Sequence, residues 1–283
     1  TYDSSPELIQ PGEPSDPFAE RYVLGRMLGQ GGGGHVVRAY DRVLGRCVAM
    51  KILKTRADST DDLTRFIAEA QTTGQLEHPG IVPIYDFGTL DNGQVYYTMR
   101  EVRNTSLRMV LRGLQQRDPD VVGEYSLIRL VGVLRSICQA IHYAHVRGVV
   151  HRDIKPDNIM IGDYGEVLIM DWGLARLFDR GSIVREEHMR EEGQTLGTPA
   201  YMPPEQARGE LDRVGARSDV YSLGALLYAF LTTHPPYSGD TPLAIMWQVV
   251  EGKLTPPRQR APDREIPEEL ERICMRAMAH RQD

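Results

Sequence analysis

The sequence feature that most restricts the fold is residues 149–158, which read V-V-H-R-D-I-K-P-D-N. The apolar pair Val149-Val150 predicts a short strand, and the charged residues after it fall in a loop. Asp153 can accept or orient the hydrogen of an attacking hydroxyl, Lys155 can neutralise charge on a transferred group, and Asn158 offers a hard oxygen to a divalent cation. A charged surface turn would not explain this whole pattern, so we interpret the stretch as a catalytic loop.

A second acidic position lies further along the chain. Asp171 belongs to the triplet Asp171-Trp172-Gly173, directly behind the apolar run 167–170. Carboxylate and amide oxygens at short range are the ligands that Mg²⁺ prefers, so Asp171 and Asn158 are the predicted metal ligands. A metal and a nearby cation would position phosphates and stabilise charge in a transition state.

Residues 28–36, L-G-Q-G-G-G-G-H-V, form a glycine-rich segment in which backbone N–H groups can approach phosphate oxygens closely. A P-loop would need Lys and then Ser or Thr after the last glycine, where His35-Val36 stands. A dinucleotide-binding fingerprint would need a helix next, but the following residues are strand-like, and a flexible linker would not join two β-rich runs. The context favours a hairpin that closes over a nucleotide, with Gly29, Gly31 and Gly34 as phosphate-binding candidates.

A lysine on an apolar strand and a glutamate on the next helix complete the charged candidates. Lys51 ends the run Val48-Ala49-Met50-Lys51, downstream of the glycine-rich segment, where a cation is needed for the α and β phosphates. The segment beginning near Thr60 has the periodicity of an amphipathic helix that carries Glu69. Glu69 could pair with Arg65 one turn earlier, worth only about 0.3–0.5 kcal/mol, so we expect an inward ion pair with Lys51 instead.

The rest of the chain is divided by composition. Residues 1–20 are rich in Pro, Ser and acidic residues and are predicted to form a tether, with an ordered strap across the fold as the alternative. Residues 22–97 are mostly strand-like, and the pattern after Ser106 is mostly helical. The clearest predicted helix begins at Ser126 and ends at Gly148. Further helices are predicted at 218–231, 242–251 and 267–278, the first with Ser218 as its N-cap.

Composition excludes several classes of function. The 283 residues carry a formal net charge of −6, which disfavours a nucleic-acid or anionic-membrane binder. No apolar stretch approaches the roughly 18 residues that span a bilayer, and residues 1–20 lack the features of a signal peptide. The three cysteines lie far apart, without the clustering that disulfide scaffolds and zinc sites need, so we expect reduced thiols and a cytoplasmic location.

Together, these motifs resemble the eukaryotic-type (Hanks-type) serine/threonine protein kinases of bacteria from Tyr22 onward. Three further segments support the resemblance: H-P-G-I-V at 78–82, G-T-P-A-Y-M-P-P-E at 197–205 and S-D-V-Y-S-L-G at 218–224. The resemblance implies an α+β, bilobal protein-kinase fold. The N-lobe would be small and β-rich with one key helix, and the C-lobe would be larger and mainly helical. The implied boundaries are an N-lobe at 21–99, a hinge at 100–105 and a C-lobe at 106–283.

The resemblance also implies ATP and Mg²⁺ as cofactors, with Mn²⁺ as an alternative ion, and protein substrates phosphorylated on Ser or Thr. Lys155 and Thr198 are typical of serine/threonine kinases, and Thr198 could hydrogen-bond Asp153 and Lys155. Asp219 is expected to stabilise the backbone of the catalytic loop. The expected adenine pocket, with Met99 as its gatekeeper, comprises Leu28, Val36, Ala49, Glu101, Val102 and Met160.

Regulation is expected at the catalytic loop. Arg152 beside Asp153 is typical of kinases in which a phosphate on the activation loop neutralises this arginine. Thr195 and Ser182 are the candidate phosphate acceptors, and we expect autophosphorylation.

The sequence departs from the family pattern at several positions. Trp172 stands where Phe is usual and is expected to fill an apolar slot without loss of metal binding. Glu205 usually pairs with an arginine from a last helix; here either Arg281 substitutes or Glu205 lacks that partner. The chain is interpreted as a fragment of a longer, perhaps membrane-anchored protein, and homodimerisation is common in the family, although this segment itself shows no membrane contact and no dimer interface.

Two other functions stay open from the sequence. A pseudokinase would bind nucleotide as a signalling scaffold without transferring phosphate; pseudokinases usually lack at least one of Lys51, Glu69, Asp153, Asn158 and Asp171, all of which are present. A kinase fold that acts on small molecules is disfavoured by residues 197–205, which resemble a peptide-docking platform.

Overall fold

The computed structural model describes residues 17–31, 34–54, 60–102, 104–173, 176–177 and 199–280. The chain divides into two compact units. The N-terminal unit comprises Thr1–Leu63 and Tyr85–Glu101, and the C-terminal unit comprises Thr64–Ile84 and Val102–Asp283. The first is built on a β-sheet and the second mainly on helices, which confirms the predicted α+β class.

A five-stranded sheet forms the N-terminal unit. Its order is β1–β2–β3–β5–β4, with β1 (Tyr22–Gly31), β2 (Gly34–Asp41), β3 (Arg46–Ile52), β4 (Ile84–Thr89) and β5 (Val95–Arg100). In the antiparallel pair β1–β2 Gly31 lies opposite Gly34, so the glycine-rich segment is in a hairpin, as predicted, and no helix follows it directly. A Cβ atom on Gly34 would collide with the carbonyl oxygen of Ile52, so this close approach requires glycine.

The core of the N-terminal unit lies against one face of this sheet. Its buried side chains are Tyr22, Val37, Ala39, Val48, Met50, Ile52 and Tyr96. Helix α1 (Pro17–Arg21) places Phe18 against this core, with its ring centroid 5.1 Å from that of Tyr96. The predicted tether over 1–20 is therefore wrong for its last residues, because Phe18 has an apolar surface to pack on. Residues 1–16 lie outside the described part of the chain.

Helices make up most of the C-terminal unit. Helix α2 (Thr60–Gly74) crosses the boundary between the units. The helices after it are α3 (Leu107–Gln115), α4 (Pro119–Glu124), α5 (Leu127–Val146), α6 (Pro204–Ala207), α7 (Ala216–Thr232), α8 (Pro242–Glu251), α9 (Pro257–Arg260) and α10 (Glu268–Ala277). Short strands form two small sheets: β6 (Asn104–Ser106), β8 (Ile159–Gly162) and β9 (Val167–Ile169) in one, and β7 (Val149–Val150) and β10 (Arg176–Leu177) in the other.

The ends of these helices largely follow the predicted signals. The hydroxyl of Ser126 accepts a hydrogen bond from the first turn of α5, and the chain leaves the helix through Gly148 at φ 75°. The prediction that Ser218 is the N-cap of α7 is wrong. Gly215 occupies the cap, and its N–H donates to Ser218 Oγ at 3.0 Å, which is the reverse half of a capping box.

Helix α7 is the most deeply buried helix of the described C-terminal unit. Residues such as Ala225, Leu226 and Phe230 are fully enclosed by the surrounding core. Gly224 lets α10 approach closely, because a Cβ there would lie 2.8 Å from Cβ of Ala277. Among the described residues, none of the helices combines the length and the apolar character needed to cross a membrane.

Candidate active site

The predicted catalytic loop is anchored by one buried carboxylate on α7. Asp219 Oδ2 accepts from the backbone N–H of His151 at 2.9 Å, and Oδ1 accepts from that of Arg152 at 2.9 Å. His145, near the end of α5, places Nε2 2.7 Å from Oδ2. These contacts confirm the predicted role of Asp219. They also hold Arg152 at φ 68°, a left-handed conformation that non-glycine residues adopt at a cost of roughly 1–2 kcal/mol.

Two predicted catalytic residues and a predicted metal ligand meet immediately after this anchor. Lys155 Nζ lies 2.6 Å from Asp153 Oδ2, and Asn158 Nδ2 donates to the carbonyl oxygen and to Oδ2 of Asp153, both at 2.9 Å. No described residue hydrogen-bonds Asp153 Oδ1, so this oxygen is available to a hydroxyl group.

The same contacts orient Asn158 for a second role. Both of its bonds to Asp153 use the amide nitrogen, and its Oδ1 has no partner among the described residues. The residue is 7% exposed, and the two hydrogen bonds of the amide nitrogen fix the direction of this oxygen. A free amide oxygen in a fixed position fits the predicted metal ligand.

A buried histidine connects the catalytic loop to the triplet 171–173. The N–H of Asp153 can only donate, so His151 Nδ1 accepts from it at 3.2 Å and Nε2 carries the ring hydrogen, which it donates to the carbonyl oxygen of Met170 at 3.2 Å. Trp172 packs on His151 with ring centroids 4.5 Å apart and is 1% exposed, which confirms that it fills an apolar slot. Asp171, between Met170 and Trp172, is exposed and has φ 59°.

Glu69 and Asp171 lie on either side of one glycine. A Cβ atom on Gly173 would be 3.1 Å from Glu69 Oε2 and 3.3 Å from Asp171 Oδ1, so a larger residue would push on both carboxylates. Gly173 therefore leaves room for both carboxylates, which fits the prediction that Asp171 holds a divalent metal.

The segment 78–82 explains why α2 carries Glu69 to this place. The carbonyl oxygen of Ile169 on β9 accepts from the N–H of Val82 at 3.2 Å, and the N–H of Ile169 donates to the carbonyl oxygen of Gly80 at 2.9 Å. A Cβ on Gly80 would lie 3.1 Å from Ala140 of α5. The chain that follows α2 is thus tied directly to the strand that precedes Asp171.

The remaining nucleotide-binding candidates lie on separate elements. Lys51 on β3 pairs in register with Val36 and Tyr97, and its Nζ lies 5.8 Å from the Tyr97 ring centroid. The pairing of Lys51 with Glu69, which belong to different units, stays a prediction. The other described candidates are Leu28, Gly29 and Gly31 on β1, Gly34 on β2, Ala49 on β3, Met99 on β5, Val102 before β6 and Met160 on β8.

The charge of the hinge residue Glu101 is neutralised within the N-terminal unit. Its Oε1 lies 2.9 Å from Nε of Arg38 on β2, and the carboxylate side chain is only 8% exposed. The sequence did not reveal this pair, because Arg38 and Glu101 come together only when β2, β3 and β5 align.

Residues 199–206 lie beside the catalytic loop and are held from α7. Ser222 Oγ donates to the carbonyl oxygen of Tyr201 at 2.9 Å, and Ser218 Oγ donates to Glu205 Oε1 at 2.6 Å. The sequence did not reveal these two contacts, although the four-residue spacing of Ser218 and Ser222 is typical of one polar helix side. A small cleft that is open to solvent is lined by Tyr201, Asp153 and Lys155.

Several predicted residues fall outside the described part of the chain. These are Thr198 and the regulatory candidates Thr195 and Ser182. Arg281, one of the two predicted outcomes for Glu205, also lies outside it. Glu205 has Ser218 as a described partner.

Comparison with known proteins adds a family to this geometry. A family model described as "Protein kinase domain" matches residues 22–282. The serine/threonine-protein kinase PknB of Mycolicibacterium smegmatis is 40% identical over 272 residues, which cover 94% of this chain and 41% of that protein. The probable serine/threonine-protein kinase PknB of Bifidobacterium longum is 40% identical over 273 residues, covering 92% and 36%. The serine/threonine-protein kinase PknD of Protochlamydia amoebophila is 38% identical over 267 residues, covering 88% and 27%. The chain thus spans well under half the length of these curated relatives.

Proposed function

Because the chain belongs to the protein kinase domain family, we propose that it transfers the γ-phosphoryl group of ATP to serine and threonine hydroxyls of proteins. The observation that carries the proposal is the arrangement at Asp153. One carboxylate oxygen is held by Lys155 and Asn158, and the other is left to a hydroxyl. Such a carboxylate can orient the attacking oxygen and accept its hydrogen. The preference for serine and threonine follows from the names of the curated relatives and from the presence of Lys155 and Thr198.

We assign the other residues to binding and charge stabilisation. Asn158 Oδ1 and the Asp171 carboxylate would hold Mg²⁺, with Mn²⁺ as an alternative ion. When bound, the metal supplies positive charge that orients the phosphates and offsets charge in the transition state. Lys51, paired with Glu69, would bind the α and β phosphates, and Lys155 would neutralise charge on the transferred group. The hairpin of β1 and β2, with Gly29, Gly31 and Gly34, would cover the phosphates.

A pseudokinase is the alternative, and no observation favours it. The residues that such proteins usually lack are present, and the contacts of Asp153 with Lys155 and Asn158 support phosphate transfer. We place the domain in the cytosol, where ATP is available, and keep autophosphorylation, regulation through Arg152, Thr195 and Ser182, and homodimerisation as parts of the same proposal.

A variant at Asp153 tests the function. Asp153→Asn keeps the size of the side chain but removes the negative charge, so it should reduce phosphate transfer by about 100-fold or more, because general base catalysis contributes that much. Binding of Mg·ATP should change little, since Asn158 and Asp171 are intact. Radiolabelled ATP with generic protein substrates, followed by phosphoamino-acid analysis, measures the rate and the residue type together.

The matched control is Asp240→Asn, which makes the same chemical change at an exposed position after α7. It should transfer phosphate at the original rate. The proposal is wrong if Asp153→Asn is as active as this control, or if the unaltered chain binds Mg·ATP but transfers no phosphate to any protein.

A further inference from the structure

An arginine on α3 forms an ion pair with an acidic residue inside the catalytic loop. Arg108 Nη1 lies 2.5 Å from Asp157 Oδ1. Asp157 belongs to the turn Pro156–Asn158, between the catalytic lysine and the predicted metal ligand. Among the residues that the structure describes, Asp157 is the only one that forms an ion pair or hydrogen bond with Arg108.

The position of Arg108 is fixed by the start of its helix. Ser106 caps α3 and pairs in register with Met160 on β8, so the first turn of α3 is tied to the strand that follows the catalytic loop. Helix α3 has no acidic residue in its first turn and carries the cation of Arg108 there instead. A cation is unfavourable at a helix N-terminus, and the carboxylate of Asp157 compensates for it. This effect explains why Arg108 and Asp157 pair. It does not explain why most of the Arg108 side chain is exposed to solvent.

The pair presents more positive than negative charge to solvent. The side chain of Arg108 is 62% exposed, whereas that of Asp157 is 33% exposed. Nη1 of the guanidinium binds Asp157, and no described residue accepts a hydrogen bond from its other N–H groups. An arginine fork with free donors is well suited to a second carboxylate.

The pair also lies next to the place where a substrate must bind. Burial raises the pKa of the Tyr201 hydroxyl; Asp157 raises it further and Arg108 opposes this, so both charges act on this side chain. Tyr201 lines the same cleft as Asp153 and Lys155. A peptide whose hydroxyl reaches Asp153 therefore passes close to the exposed guanidinium.

We propose that Arg108 and Asp157 together determine which charge is accepted next to the phosphorylated residue. Arg108 binds an acidic side chain of the substrate and, by occupying Asp157, prevents that carboxylate from binding a basic one. This inference rests on the proposed protein kinase activity and adds a substrate class to it: acidic peptides, selected by a pair outside the residues that perform the transfer.

The test compares peptides that differ at one position. Each has the same acceptor and carries Glu, Ala or Arg at one flanking position, taken in turn. An exposed ion pair contributes up to about 1 kcal/mol, so the unaltered chain should favour Glu over Arg by about threefold in kcat/KM at the best position. Arg108→Ala releases Asp157 and should reverse this to about threefold in favour of Arg, a change of about tenfold in the ratio. The double variant Arg108→Ala, Asp157→Asn should show no preference.

A second ion pair supplies the matched control. Arg213 and Glu210 lie 2.9 Å apart with side chains 57% and 37% exposed, close to the values for Arg108 and Asp157. Arg213→Ala removes the same charge and should leave the Glu-to-Arg ratio unchanged. If Arg108→Ala folds poorly by its melting temperature, Arg108→Gln replaces it, because Gln keeps an N–H donor for Asp157 without the charge.

The outcomes separate this inference from the proposed function. Transfer to the peptides with an unchanged ratio in the Arg108 variants overturns the inference, leaves the kinase activity intact and reduces the pair to a structural contact. Absence of transfer to every peptide and protein by the unaltered chain overturns the proposed function, and the inference falls with it.

Discussion

Replacement of Asp219 by Asn tests how the catalytic loop is held in place. The carboxylate accepts three hydrogens, from the backbone N–H groups of His151 and Arg152 and from Nε2 of His145. An amide has one accepting oxygen and carries hydrogens on its nitrogen. In Asp219→Asn at least one of the three donors must therefore face another donor, at a position that is 1% exposed and out of reach of water.

The expected loss follows from these contacts. A buried donor without an acceptor costs about 1–3 kcal/mol, and loss of the negative charge weakens each remaining hydrogen bond by about 1 kcal/mol. The free energy of unfolding should fall by about 4 kcal/mol, and the melting temperature by about 8 °C for a chain of this size. The left-handed conformation of Arg152 loses its restraint, so Asp153 should move. A displacement of about 1 Å at a reacting group can reduce the rate by about 100-fold.

Two measurements and one control separate the catalytic effect from simple destabilisation. The melting temperature comes from a thermal scan, and kcat for phosphate transfer is measured well below it. Ile137→Ala, a fully buried change on α5, should lose about 2–5 kcal/mol without touching the catalytic loop. It should keep its kcat. If Asp219→Asn also keeps its kcat, Asp219 does not position Asp153, and the reasoning is refuted.

Two further predictions concern buried groups. The indole N–H of Trp172 is buried without an acceptor among the described residues, so Trp172→Phe should change the free energy of unfolding by less than about 1 kcal/mol, whereas Trp172→Ala should lose about 3–5 kcal/mol. Denaturant titration measures both, and equal losses would contradict the packing described for this side chain. Burial raises the pKa of Tyr22, Tyr228 and Cys274 to about 12, from 10.0 for the tyrosines and 9.0 for the cysteine. As the pH rises, the unfolded chain loses these protons at a lower pH than the folded chain does. The free energy of unfolding should therefore be constant below about pH 9 and decrease between about pH 9 and pH 12. Melting temperatures that stay constant across this window would show that these groups are accessible in the folded chain.

The parts of the fold that the sequence predicted are those governed by neighbouring residues. The ends of α5 were visible because Ser126 and Gly148 act through the first and last helical turns. The hairpin around Gly31 and Gly34 was visible because β-rich runs flank the glycines. The cluster of Asp153, Lys155 and Asn158 spans six positions, so its side chains could hardly avoid one another once the loop had formed.

The parts that the sequence did not predict depend on distant residues. His145 reaches Asp219 from another helix, and nothing near it in the sequence marks this contact. Ser218 looked like a helix cap because serine is common there, but the tertiary contact with Glu205 gives its hydroxyl a different use. Composition alone predicted a tether at the N-terminus and overlooked Phe18, an aromatic residue that packs against the core of the sheet.

Helix α7 shows why polar residues are placed in the most buried part of the C-terminal unit. Ser218 holds Glu205, Asp219 holds the catalytic loop, and Ser222 holds the carbonyl oxygen of Tyr201. A hydrogen bond adds only about 0.5–1.5 kcal/mol to stability, but a buried polar group left unpaired costs about 1–3 kcal/mol. An apolar α7 of the same shape would leave the N–H groups of His151 and Arg152 and the carbonyl oxygen of Tyr201 without their partners, and the loop and the 199–206 segment would be free to shift against each other. The polar residues penalise such shifts, and the arrangement they favour places Asp153 and Tyr201 in the same cleft, where a hydroxyl can enter.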